Sequence, residues 1–219
     1  MVNKELNLLI EEIIEYSHLI IDMVEGSVKG LVEKNRDILT KVIDDMESRA
    51  NAYEIEIDRN CAEFIVKYQP RAIDLRTVLM ILKMNNDLER MGDHAVNASE
   101  SALFLIQRPE VKPLIDIPRM AEISVKMLKD AVKAFVNGDI GLAKTVCERD
   151  DIVDNLADQV LRELLTYMAS DPSTIERSLH LLRVSSNLER IADLSTNISE
   201  DVVFIVSGKV IKHHESEIE

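Results

Sequence analysis

The side chains in this sequence best suited to chemistry are carboxylates that recur together with their surroundings. Asn86-Asp87-Leu88-Glu89-Arg90-Met91-Gly92-Asp93 returns 100 residues later as Ser186-Asn187-Leu188-Glu189-Arg190-Ile191-Ala192-Asp193, and Asn97, Ser99 and Glu100 return as Asn197, Ser199 and Glu200. Helical patterning alone would preserve only the apolar positions, so the repeated polar ones need another cause. Residues four apart on a helix lie about 40° apart around it. Glu89, Asp93, Asn97 and Glu100 therefore share one face, nearly opposite the apolar stripe through Leu88 and Met91, and Glu189, Asp193, Asn197 and Glu200 do the same. The preceding helix of the second half adds Asp150 and Asp154, with Asp158 one turn further on; the first-half counterpart is Glu47 and Asn51, if the connection around Gln69-Pro70 is three residues longer than its partner. Two such i, i+4 pairs on adjacent antiparallel helices bring four oxygen donors to one place. Like charges at that spacing destabilise a helix by a few tenths of a kcal/mol, and a bound cation reverses the sign. Oxygen-only ligation suits Mg, Mn, Ca or Fe. The plainer alternatives are ordinary solvated faces, or acidic faces that receive basic partner surfaces without any metal.

Enzyme chemistry finds little support. A carboxylate-bridged di-iron oxidase needs two Glu-x-x-His pairs, and only Glu15-Tyr16-Ser17-His18 has that spacing. There is no G-x-S-x-G elbow and no Walker A loop. Cys61 and Cys147 stand far apart inside helical patterns and read as buried reduced thiols. A non-enzyme is expected.

The elements that must position these residues are helices. The chain of 219 residues has 6 Gly, 5 Pro, no Trp and only 8 aromatic residues, yet 46% of it is hydrophobic. Few turn formers and few β-favouring residues predict long helices joined by few connections. The first helix is expected from about Asn3 to Glu33 and the second to about Tyr68, where Gln69-Pro70 stops it. A third runs from near Ala72 to before Arg108-Pro109, a fourth from about Arg119 to Val136, a fifth from about Ile140 to Ala169, and a sixth from Asp171-Pro172 to Ser207-Gly208. Two antiparallel three-helix bundles result, over residues 1–108 and 119–208, with a proline-rich linker at 109–118 and a polar tail at 209–219. A second apolar patch on the third helix, Leu75, Val78, Leu79 and Leu82, reads either as core contact or as a subunit seam.

A formal charge of -14 disfavours nucleic acid and bare anionic membrane as partners. No apolar run approaches the roughly 18–20 residues of a membrane span, and the start lacks a signal-peptide core. A cytoplasmic protein is expected, reaching membranes only through protein partners.

The repeated Leu-Glu-Arg-x-x-Asp, together with Gln69-Pro70-Arg71-Ala72-Ile73-Asp74-Leu75-Arg76 ahead of its first copy, resembles the PhoU family over nearly the whole chain. The resemblance implies an all-α fold of two repeated three-helix bundles and a cytoplasmic, homodimeric negative regulator of phosphate uptake. Its implied partners are the sensor histidine kinase of the phosphate response and the ATPase of the high-affinity phosphate transporter. It also implies multinuclear iron or zinc sites: by position, the first would use Glu47, Asn51, Glu89 and Asp93, and the second Asp150, Asp154, Glu189 and Asp193. Asn97, Glu100, Asn197 and Glu200 are placed to support those ligands. Asn51 stands where Asp is common in the family, which removes one charge from the first site. His94 follows Asp93 in the first copy only, and reads equally as a site residue or an exposed helical histidine.

Overall fold

The structure is a computed structural model and describes residues 2–207; the tail expected over 209–219 lies outside the described residues. Among the described residues every regular element is helical. Six long helices carry the fold: α1 (Val2–Val32), α2 (residues 36–68), α3 (Ala72–Leu105), α4 (Asp116–Asn137), α5 (Ile140–Ser170) and α6 (Ile175–Ser207).

Local chemistry explains the breaks between them. Asn35 caps α2 by accepting hydrogen bonds from the backbone N–H groups of Asp37 and Ile38 at 3.0 and 3.3 Å. Gln69 takes the left-handed conformation, φ 46°, before Pro70 forbids another helical turn. Gly138, at φ 61°, closes α4 as the residue that bears a positive φ at least cost. Asp139 then caps α5 through Leu142 N–H at 3.0 Å. Asp171 accepts from Ser173 N–H and starts a short 3₁₀ turn, Pro172–Thr174, that leads into α6.

Two details depart from the sequence expectation. Helix α2 contains one π-helical turn, Lys41–Met46, immediately before Glu47; such turns add a residue and rotate what lies upstream against what lies downstream. Helix α4 begins at Asp116 rather than near Arg119, because Pro118 sits in its first turn, where no intrahelical N–H is needed.

Each half is an antiparallel three-helix unit, and the halves join along α3 and α6. These two lie antiparallel, with Lys83 Nζ donating to Asp201 Oδ1 at 2.7 Å, His94 Nδ1 and Asn187 Oδ1 2.8 Å apart, and the Phe104 and His180 rings stacked at 3.9 Å. His94 is thus a seam residue. In the second apolar patch of α3, Val78 is fully buried while Leu79 is exposed, so the patch divides between core and surface. One continuous apolar core runs through both halves, from Leu6 on α1 to Val203 on α6. The connector 106–115 is docked onto it: Val111 and Leu114 pack against the core, and Arg177 Nη1 donates to the carbonyl of Pro109 at 2.8 Å.

The α1–α2 turn depends on a close approach at Gly30. A Cβ there would fall 2.5 and 2.6 Å from Cδ2 and Cγ of the fully buried Leu39. Gly30→Ala is expected to cost about 1–3 kcal/mol by overpacking. Thermal melts should register a fall of roughly 3–10 °C at this chain length.

Candidate metal centres

The second half gathers three of its four sequence-predicted residues, and the fourth, Glu189, feels the charges of two of them. Asp150 and Asp154 project from α5, and Asp193 from α6; one carboxylate oxygen from each of the three lies within 4.8 Å of the others. Asp150 is 9% exposed and Asp193 half-buried, so the cluster occupies a groove between the helices, with only Asp154 in open solvent. Glu189, one turn before Asp193, has its carboxyl held above the usual range by burial first, then by the charges of Asp154 and Asp193, with Arg190 pulling the other way. Arg190 Nη1 bonds Asp193 Oδ2 at 3.2 Å on the solvent side. Cys147, one turn before Asp150, was not singled out from the sequence as a site residue. Burial, Glu200 and Asp150 push its thiol up to about 11.

The first half is built differently. Glu89 is half-buried and its carboxyl is again held high, by burial and then by Asp93 and Glu54. The α2 carboxylate that bears on Glu89 is therefore Glu54. Glu47 is half-buried directly after the π-helical turn and Asn51 is exposed. Among the described residues, no trio of Asp, Glu, His or Cys donors closes here as it does around Asp150. The level of α2 against α3 is set by Asn85, 1% exposed, whose amide donates to the Glu54 carbonyl and to Asp58 Oδ1, both at 2.9 Å. Asn97, Glu100 and Asn197 are exposed on the rims, and Glu200 is half-buried.

These charges make stability depend on pH. Asp87, buried in the α3–α6 seam, has its carboxyl pushed up to about 6, chiefly by burial. A carboxyl raised above its unfolded value keeps the native chain more protonated than the unfolded one between about pH 4 and 6. Stability then falls as pH rises through that window. The metal-free protein should melt higher at pH 5 than at pH 7, and Asp87→Asn should flatten that slope.

The chain is all-helical and internally duplicated, with a carboxylate groove in its second half and a carboxylate face in its first. The chain belongs to the PhoU family: the PhoU domain matches it twice, at residues 13–102 and 117–202. It is 39% identical over 210 residues to the phosphate-specific transport system accessory protein PhoU homolog of Aquifex aeolicus, covering 96% of this chain and 95% of that one. The crystal structure of PhoU from Pseudomonas aeruginosa superimposes with a TM-score of 0.91 at 31% identity, covering 95% of this chain and 100% of that chain. That of the phosphate transport system regulatory protein PhoU from Streptococcus pneumoniae does so with a TM-score of 0.89 at 24% identity, covering 97% and 100%, a likeness of fold. No described helix is long and apolar enough to cross a membrane.

Proposed function

We propose that this chain is a non-catalytic accessory protein of phosphate uptake. It acts in the cytoplasm as a homodimer and joins the state of the high-affinity phosphate transporter to that of the sensor histidine kinase, which it restrains. The name of the Aquifex relative supports the transport role. The single observation that carries the site is the convergence of Asp150, Asp154 and Asp193 in one groove.

The donor set fits a cation. Oxygens no more than 4.8 Å apart leave room for an ion between them at the usual bond lengths of about 2.0–2.5 Å. Burial first, and then the charges of Asp154 and Asp193, hold the Glu189 carboxyl above its usual range, and a cation bound beside it would favour its charged form. In this reading Asp150, Asp154, Glu189 and Asp193 hold iron, zinc, manganese or magnesium and clamp α5 to α6 in fixed register. The first-half residues do the same for α2 and α3. With metal in place the working charge is less negative than the formal -14.

The second reading is a metal-independent adaptor whose acidic faces take basic partner side chains. The Arg190 guanidinium resting on Asp193 favours it, because it shows that such a group fits there. Capture of the kinase and the transporter ATPase by the purified protein separates the two. A metal-dependent adaptor loses capture on chelation and regains it with metal. A basic-surface adaptor survives chelation and weakens steeply with salt. Failure to capture either partner under any condition sinks the adaptor role.

A further inference from the structure

The seam between α3 and α6 has two ends, and the internal repeat makes them counterparts. Leu79, Met80, Lys83 and Phe204 at one end correspond, 100 residues apart, to Leu179, His180, Arg183 and Phe104 at the other. The Phe104 end is closed by the chain itself. The His180 ring stacks on Phe104 at 3.9 Å, and the Arg108 guanidinium lies 3.4 Å from the centre of the Phe104 ring while donating to the Phe104 carbonyl at 2.8 Å. The Phe204 end is open. Met80 stands there in place of the histidine, and a cavity of about 100 Å³ is lined by Leu79, Met80, Phe204 and Ile205 together with Arg76, Lys83 and Asp201. Leu79 is 46% exposed, an apolar side chain that the fold leaves uncovered. Pockets for drug-sized molecules run to about 300–1,000 Å³, so this one suits a single side chain of a polypeptide.

The polar groups of the lining decide which kind of segment carries that side chain. Arg76 Nε is buried and meets no hydrogen-bond partner. A guanidinium cannot lose its proton or turn acceptor, so this N–H calls for an acceptor from outside. Lys83 is already engaged, its Nζ donating to Asp201 Oδ1 at 2.7 Å. The lining thus sets two cations against one carboxylate, on a chain whose formal charge is -14. We propose that this cavity is a docking site for an acidic segment of a partner polypeptide, which seats one leucine-sized apolar side chain against Leu79 and Phe204 and places a neighbouring carboxylate on Arg76 Nε. A buried apolar anchor and a charge-assisted hydrogen bond then come from adjacent residues of one segment. The proposal rests on the adaptor reading above only in taking a polypeptide as the occupant, and it needs no metal. It gives the molecule a surface whose charge preference is opposite to that of the carboxylate faces.

The full-length chain, with labelled leucine, isoleucine and methionine methyl groups, is titrated to millimolar ligand with acetyl-Glu-Leu-Glu-Leu-amide, with the same peptide carrying Gln or Lys in place of Glu, and with inorganic phosphate, and the methyl NMR signals are followed. The acidic peptide is expected to shift Leu79, Met80 and Ile205, the neutral one to bind about tenfold more weakly, and the basic one and phosphate to leave all three unmoved. Arg76→Gln should weaken the acidic peptide about tenfold, Leu79→Asp should abolish its binding, and Arg183→Gln, at the closed end, should leave it unchanged. The methyl spectrum of each variant shows whether it is folded, and the charge series on the wild type stands without any variant. Equal binding of the three peptides, shifts that spare those three residues, or full binding by Arg76→Gln overturns the proposal. Shifts caused by phosphate alone overturn it in favour of a simple anion site. Silence from every peptide, as when the chain's own residues 209–219 fill the cavity, overturns it as well. Neither the kinase nor the transporter takes part, so each of these failures leaves the adaptor reading standing, and failure to capture those partners leaves the peptide result standing.

Discussion

Glu189→Gln together with Asp193→Asn is expected to raise the melting temperature of the metal-free protein and to abolish its further rise when metal is added. The two signs come from one cause. Without metal, Glu189 sits in a half-buried groove facing Asp154 and Asp193, and its raised carboxyl records the cost. Neutralising two members of the cluster removes repulsion on the order of 1 kcal/mol, or about 2–4 °C for a chain of this length. The lost contact between Asp193 and Arg190 is exposed and offsets little of that. With metal, the wild type gains instead. A ligand that binds only the folded state at 100 times its dissociation constant contributes about 2.7 kcal/mol, roughly 5–10 °C. The melting curves of the two proteins should therefore change order on adding metal. Calorimetry with iron, zinc and manganese in turn, each against a chelated control, reads the crossing. A wild type insensitive to all three would remove metal from the account of the groove.

The architecture was legible because the breakers are few and each acts locally. Pro70, Gly138 and the Asp171-Pro172 pair end or begin helices where their backbone chemistry requires it. The second cluster was legible for a related reason: α5 is regular throughout, so Asp150 and Asp154 keep their i, i+4 geometry and the antiparallel partner brings Asp193 alongside. The first cluster was less so. The Asn85 clasp on Glu54 and Asp58 sets the antiparallel level at which Asn51 and Glu47 stand opposite Glu89 and Asp93. Yet Asn51 is exposed, the α2 charge that bears on Glu89 is Glu54, and no trio of Asp, Glu, His or Cys donors closes there among the described residues.

Lys112→Met is expected to lower the melting temperature by about 10 °C, more than its place in a connector would suggest. The ammonium is 10% exposed, bonds Asp116 Oδ2 at 2.7 Å and also contacts Glu163 of α5. It therefore ties the segment between the halves both to the first turn of α4 and to the helix that carries Asp150 and Asp154. Removing one partner of a buried pair costs about 3–5 kcal/mol, because the other is left charged and desolvated. Here that other is Asp116, itself buried. The pH dependence checks the cause. In the wild type the Lys112 ammonium holds the Glu163 carboxyl below its usual range. The stability that contact adds is present near pH 7 and is lost as pH falls through the carboxylate range, and the variant lacks it throughout. The deficit against wild type should be largest near pH 7 and smallest near pH 4. Lys112→Met combined with Asp116→Leu should recover most of the loss at pH 7, since an apolar pair replaces an ionic one of similar volume. Equal deficits in the single and double variants would mean that the packing of the lysine stem, rather than its charge, holds the connector. In that case the groove on α5 should keep its metal affinity, whereas loss of the ionic tie should weaken it, because Glu163 and Asp150 ride on the same helix.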